Sequence, residues 1–148
     1  MMRNQTGFTM IEMLAVMIIL GILAVVVLPK FADLRGDAYL SAVSGMAGAF
    51  GTAASVNDSS CTATNHVVTV GAAIKVSKCS DLSPLIKPPV TLTTASGAGC
   101  NTANSYCLAA DNAVPTNGSQ QSCTLRYMPG AVGTTAYSAT YVVIGACN

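Results

Sequence analysis

The chain has no tryptophan, a single histidine and little charge: 9% of its 148 residues are Asp, Glu, Lys or Arg, and 5% are aromatic. Seven basic residues stand against six acidic ones, a formal net charge of +1. No basic cluster is present, so the electrostatic footprint of a nucleic-acid binder is missing. Disorder is excluded by the opposite bias. Disordered chains are poor in apolar residues and rich in net charge, whereas 51% of this sequence is hydrophobic. The length supports one domain at most. A mean hydropathy of +0.53 with so few charges requires that the apolar residues be gathered in one segment that does not face water.

Catalytic constellations are missing as well. His66, the only imidazole, stands beside a Val-rich run and is expected to be structural or to lie at the surface. Asp58, Asp81 and Asp111 are far apart in turn-like surroundings, and none sits in EF-hand spacing. Gly97-Ala98-Gly99 is too short to cradle a phosphate and reads as a turn. Structural zinc favours tight pairs such as C-x-x-C, and there is none. The expectation is a protein that is not an enzyme and that uses no cofactor and no metal.

What the chain does have is one long apolar run. From Met13 to Leu28 there is no charge, and among the 21 residues from Phe8 to Leu28 the only one is Glu12. At about 1.5 Å per residue, 21 helical residues span roughly 31 Å, the thickness of a bilayer's hydrocarbon core. A cleaved secretory signal, a membrane anchor and a buried core helix all compete for such a segment, and the flanks discriminate. A secretory signal needs a basic start, a short apolar stretch and a small-residue cleavage site after it, which AVVVLPKFADL does not offer. Here the order is inverted: a polar start, Met1 to Gly7, then Phe8-Thr9-Met10-Ile11-Glu12, and only then the apolar run.

The string GFTMIEMLAVMIILGILAVVVLPKF resembles the prepilin signature of type IV pilins and their secretion-system relatives, the pseudopilins. Gly7 stands where that family's leader ends, Phe8 where the mature chain begins, Glu12 at its acidic position, and Gly21 and Pro29 where many type IVa pilins carry a helix-loosening Gly and Pro. The next stretch, PKFADLRGDAYLSAVSGMAGAF, is similar to the mannose-sensitive haemagglutinin subgroup, so the resemblance runs from Gly7 to Phe50. It implies that a membrane-embedded prepilin peptidase cuts between Gly7 and Phe8 and methylates the Phe8 nitrogen, with S-adenosylmethionine as that enzyme's methyl donor. The mature chain would hold 141 residues with no net charge.

Glu12 has a physical reading of its own. An ionised acid inside a membrane helix costs roughly 2.5 to 3.5 kcal/mol and normally faces protein, water or a partner charge. Two readings follow: snorkelling to the nearby interface, or pairing with the cationic amino group of Phe8, in its own chain or a neighbour, as a fibre grows. Gly21 and Pro29 weaken the helix by about 1 and 3 kcal/mol. Lipid would keep it helical, because unpaired peptide groups are expensive there. Packed neighbours in a fibre could let it loosen; the alternative is a Pro kink and a Gly packing contact.

Beyond Pro29, Phe31, Leu34, Ala38, Ala42, Met46, Ala49 or Phe50, and Ala53 recur at helical spacing, predicting an amphipathic continuation to about Val56 with Asn57-Asp58-Ser59-Ser60 as terminator. Lys30, Asp33, Arg35 and Asp37 read as a solvated collar. After Asn57 the composition turns to Ser, Thr, Asn, Gly and Pro. Candidate strands are His66 to Val70, Val90 to Thr94, Cys123 to Met128, Ala136 to Ile144 and, more weakly, Tyr106 to Ala109. Asn117-Gly118 is a hairpin signal, and Pro84 to Pro89 reads as an irregular connection. The expected fold class is α+β: a long N-terminal helix packed on a small antiparallel sheet. Its segments are a leader at 1–7, a membrane and assembly helix at 8–29, an amphipathic half at 30–56 and a disulfide-rich head at 57–148.

All six cysteines lie in that head. An even count in an exported domain reads as disulfides, with 15 possible pairings. Sequence proximity suggests Cys61 with Cys79, Cys100 with Cys107 and Cys123 with Cys147; the last resembles the C-terminal disulfide loop of type IV pilins. Asn57-Asp58-Ser59 and Asn117-Gly118-Ser119 match the N-glycosylation pattern, weak evidence in a chain of the bacterial origin that the resemblance implies. Tyr39, Tyr106, Tyr127, Tyr137 and Tyr141 are expected to be half-buried packing residues.

The resemblance implies a structural subunit that waits in the bacterial inner membrane. It would then polymerise through its N-terminal helix into an extracellular pilus serving adhesion, surface motility or biofilm attachment. Implied partners are further copies of the chain, the prepilin peptidase, an assembly ATPase with its inner-membrane platform, an outer-membrane secretin, and a receptor the sequence does not name. The alternatives are a pseudopilin of type II secretion and a DNA-uptake pilin, the latter disfavoured by the missing basic patch.

Overall fold

The computed structural model describes residues 7–68, 71, 73–95, 100–130 and 135–148. They fall into two compact units, Met1–Asp37 and Ala38–Asn148, and helix α1 (Met10–Ala63) contributes to both. Among the described residues of the first unit, all from Met10 onward are helix. An 18-residue window of it has a mean hydropathy of 3.0 with none of its surface buried, long and apolar enough to cross a membrane. Met10, Ile11, Met17, Ile22 and Val25 are each more than 60% exposed. Pro29 lies within the helix. At Gly21 an added Cβ would meet nothing within 4 Å, so its lack of a side chain serves no packing contact inside the described chain.

In the second unit the remainder of α1 lies on a four-stranded sheet of β1 (Thr93–Thr94), β2 (Ser105–Leu108), β3 (Gln120–Met128) and β4 (Tyr137–Ile144), in the order β1-β2-β3-β4. Strands β2, β3 and β4 form an antiparallel meander, with Cys123 opposite Tyr141 and Leu125 opposite Ala139. The expectation of a wholly antiparallel sheet is corrected by β1, which pairs in parallel with β2. Alternation along β3 and β4 buries Cys123, Leu125, Tyr141 and Val143, which close on Val43, Ala47, Phe50 and Ala54 of the helix. Phe50 stacks on Tyr141 with ring centroids 5.3 Å apart. Tyr39 lies against both Tyr127 and Tyr137, which are opposite one another across β3 and β4.

The buried face of the helix matches the expected one only in part: Phe50 is buried, Met46 packs against the core and Ala53 is half-buried, whereas other expected positions face outward. Ala38, Ala42 and Ala49 are exposed, and so are Phe31 and Leu34. Alanines fit either face, so the bulk of Val43 and Phe50 decides. α1 also runs to Ala63, past the expected end near Val56. Asn57 does not terminate it because its side chain is buried and committed elsewhere: Oδ1 accepts from the Ile74 amide and Nδ2 donates to the Ile74 carbonyl, both at 2.9 Å. The helix ends instead where Asn65 and His66 take positive φ and the His66 amide donates to the Cys61 carbonyl at 2.8 Å, a left-handed C-terminal cap.

Other expectations shift in the loops. His66, Val67 and Val68 are turn and coil, while Thr69 and Val70 lie outside the described residues, as do the leader residues 1–6 and Gly97-Ala98-Gly99. Only Thr93 and Thr94 of the run from Val90 are strand. Pro84 belongs to a 3₁₀ helix, Cys79–Leu85, and only the residues after it are irregular. The Asn117-Gly118 turn is not a tight two-residue hairpin; it lies at the end of the long connection from β2 to β3 and is held to the C-terminal segment, the Gly118 amide donating to the Gly145 carbonyl at 2.8 Å.

The disulfides are Cys61–Cys147, Cys79–Cys123 and Cys100–Cys107. Cys61–Cys79 and Cys123–Cys147 are therefore corrected. Because α1 extends past Val56, Cys61 sits on its last turn, beside the C-terminal segment that follows β4. The sulfur of Cys79 opens the 3₁₀ helix against β3.

Candidate functional site

The residues singled out at the N-terminus build one compact motif. Gly7, Phe8 and Thr9 precede the helix, and Phe8 is 81% exposed. The peptide bond between Gly7 and Phe8 thus lies outside regular structure, the state in which a peptidase can reach it. Thr9 is the N-cap. The Thr9 amide and hydroxyl both donate to Glu12 Oε2 at 2.7 Å, and the Glu12 amide donates back to Thr9 Oγ1 at 3.4 Å. This is a reciprocal capping box, which satisfies amide groups that a helix start leaves without partners. Its signal was in the sequence, a T-x-x-E just before an apolar run, and the reading of Glu12 as a lone membrane charge passed over Thr9.

The Phe8 nitrogen is an amide in the uncut chain and becomes a cationic amine only if the bond to Gly7 is broken. Glu12 is then the nearest acid in sequence, four residues on, at the foot of a helix whose flanks are exposed hydrocarbon. Gly21 and Pro29 lie on the same helix, nine and 17 positions after Glu12. The arrangement presents an exposed apolar helix with a polar, hydrogen-bonded start.

In the head the acidic residues are structural. Asp81 accepts from the Ser77 amide and hydroxyl and the Lys78 amide at 2.8 to 3.1 Å. Asp111 accepts from the Ser80 amide and hydroxyl, each at 2.9 Å, and pairs with Lys78 at 3.3 Å. Asp58 joins neither group. Burial, with the Asp111 charge as a lesser cause, pushes the Tyr141 hydroxyl well above its ordinary range, and that hydroxyl donates to the Cys79 carbonyl at 3.2 Å. Burial likewise raises Tyr106, with Tyr127 adding to the effect. Among the described residues no group of three His, Cys, Asp or Glu side chains could hold a metal ion. A groove of about 430 Å³ between α1 and the 3₁₀ helix, lined by Ala49, Val56, Leu85 and Ile86 among others, brings in no titratable side chain. Of the two glycosylation patterns, Asn57 is buried and fully bonded, whereas Asn117 is exposed.

An α+β head behind a long apolar N-terminal helix, whose start is closed by Thr9 and Glu12, is a pilin-like arrangement. Residues 2–28 match the family model of the prokaryotic N-terminal methylation motif, the prepilin leader signature. That motif implies processing by a prepilin peptidase and assembly into a pilus or a pseudopilus. Comparison with curated proteins and with solved structures returns no match.

Proposed function

We propose that the chain is the structural subunit of an extracellular type IV pilus and is not an enzyme. Cut between Gly7 and Phe8 and methylated on Phe8, it leaves the inner membrane and polymerises through residues 8–29, with the head beyond carrying the surface used for adhesion, motility or biofilm attachment. The observation that supports this reading is the wholly exposed apolar stretch of α1 that forms part of the methylation motif. Such a surface needs lipid or other copies of itself. Exchanging lipid for a helix bundle gains little, since lipid is already apolar. Extraction therefore draws on an assembly ATPase and platform, with a secretin as exit. Phe8 and Glu12 pair at this step, either within one subunit or between neighbours, and Gly21 to Pro29 is the stretch that loosens.

Electron microscopy of sheared surface material, with intact mass of the filament subunit, tests the proposal. Thin filaments whose subunit starts at methylated Phe8 are expected; a dissolved monomer retaining Met1 would refute it. The motif is common to pseudopilins, so type II secretion is the second reading. Loss of secreted enzymes on gene deletion, with surface filaments intact, selects it.

A further inference from the structure

The single imidazole of the chain is not placed at random. Asn65 and His66 follow α1 with φ of 53° and 62°, a left-handed conformation that costs a residue with a side chain roughly 1 kcal/mol or more. This double turn folds the His66 ring back over the helix end, where Nδ1 lies 3.7 Å from Cys61 Sγ. His66 is exposed whereas Cys61 is fully buried. Cys61 has the most distant partner of the three disulfides, 86 residues away in sequence, against 44 and 7 for the other two. The His66 contact, by contrast, is local and is set by the helix cap alone. It can form before the C-terminal segment arrives.

We propose that Cys61 is the thiol through which this head is oxidised, with His66 as the base that makes it reactive. In the reduced chain the imidazole takes the Cys61 proton. The Cys61 thiolate attacks one sulfur of a disulfide belonging to a dithiol–disulfide oxidoreductase; a bond forms between the two proteins as the oxidoreductase's own S–S bond breaks, its second sulfur leaving as a thiolate. Cys147, once docked and deprotonated, attacks Cys61 Sγ and expels the oxidoreductase's first sulfur. Two electrons pass to the oxidoreductase, and the two cysteine protons pass to His66 and water. Charged groups on the elements around the pair are Asp58, one turn earlier on α1, and Lys75, next to the Val76 that pairs with Ala146.

The rate effect is a compromise. An imidazole beside a thiol favours its thiolate form at mildly acidic pH. The loss of intrinsic nucleophilicity returns part of this, leaving roughly a fivefold gain. The test uses the full chain in detergent. In Cys147→Ser, Cys61 is the one free thiol, and its alkylation by iodoacetamide at pH 6 should be about fivefold faster than in Cys147→Ser/His66→Asn. Asparagine suits the left-handed backbone, so the cap survives in that control. Equal rates overturn the proposal. Should Cys147→Ser misfold, a second measurement keeps all six cysteines: the chain is reduced, reoxidised with glutathione disulfide, quenched in acid and mapped by mass. Glutathione on Cys61 in excess over Cys147, equalised by His66→Asn, supports the assignment; equal or reversed loading in the unmodified chain refutes it.

Discussion

The side-chain amide of Asn57 pairs with both backbone groups of Ile74, its oxygen accepting and its nitrogen donating at 2.9 Å each. A helix residue thereby supplies the hydrogen bonds a neighbouring strand would give, and fastens the chain beyond the helix back onto α1. Asn57→Ala would leave the Ile74 amide and carbonyl without these partners. A loss of about 2 to 4 kcal/mol is expected, read as a lowered denaturation midpoint of the full chain in detergent. Asn57→Asp should be no better, because a carboxylate cannot donate to the Ile74 carbonyl.

Glu12 serves the helix and, in the proposed function, the fibre, and one pair of variants separates the two roles. Glu12→Gln keeps an oxygen for the Thr9 amide and hydroxyl but removes the charge. Thr9→Ala keeps the charge and loses the cap, at about 1 kcal/mol. If pairing with the Phe8 amine drives assembly, Glu12→Gln should abolish pelletable filaments while Thr9→Ala lowers their yield only partly. Glu12→Gln filaments at unmodified abundance would reduce Glu12 to a cap.

The disulfides should differ in worth by their spans. On the chain-entropy estimate, closing 86 residues contributes about 4.6 kcal/mol and closing 7 about 2.4 kcal/mol. Replacing Cys61 and Cys147 together by Ser should therefore lower head stability about twice as much as replacing Cys100 and Cys107. Urea titrations of the two double variants, monitored by tyrosine fluorescence, provide the comparison.

Tyr141 predicts how the head responds to alkali. Its hydroxyl is held above the ordinary value of 10.0 chiefly by burial, so the folded state retains a proton that the unfolded chain releases. The stabilisation is complete below pH 10 and declines as pH rises beyond it. Tyr141→Phe should lose about 1 kcal/mol at neutral pH with the bond to the Cys79 carbonyl, and should flatten the decline above pH 10.

Gly145 permits no side chain, since a Cβ there would run into the Thr116 carbonyl oxygen. The obstacle is backbone, fixed by the turn that Gly118 and Ser119 make with the same segment. Gly145→Ala should cost about 3 kcal/mol, visible as a lower melting temperature.

Some of this was legible in the sequence and some was not, for physical reasons. The apolar rod was plain because nothing from Met13 to Leu28 interrupts it, and strands β3 and β4 were plain because their alternation is regular. The buried face of α1 was legible only at Met46, Phe50 and Ala53, because a helix rich in Ala and Gly offers several equivalent stripes and only contact with the sheet selects one. The same ambiguity misplaced the helix end. Asn57 through Ser60 look like a terminator until Asn57 is seen spending its polar groups on Ile74, with Ser59 donating to the Ser55 carbonyl within the helix. The disulfide pairs were read from proximity along the chain, which does not see that Cys61, on the last helical turn, lies beside Cys147. The capping role of Thr9 was written plainly as T-x-x-E. The position of His66 over Cys61 depends on two left-handed residues that no pattern announces.

The bond between Cys61 and Cys147 has a mechanical consequence. In the proposed filament, a subunit held by its N-terminal helix would feel tension through α1, whose last turn is tied by Cys61–Cys147 to the segment after β4, so a pull on the helix would be shared with the C-terminal tail.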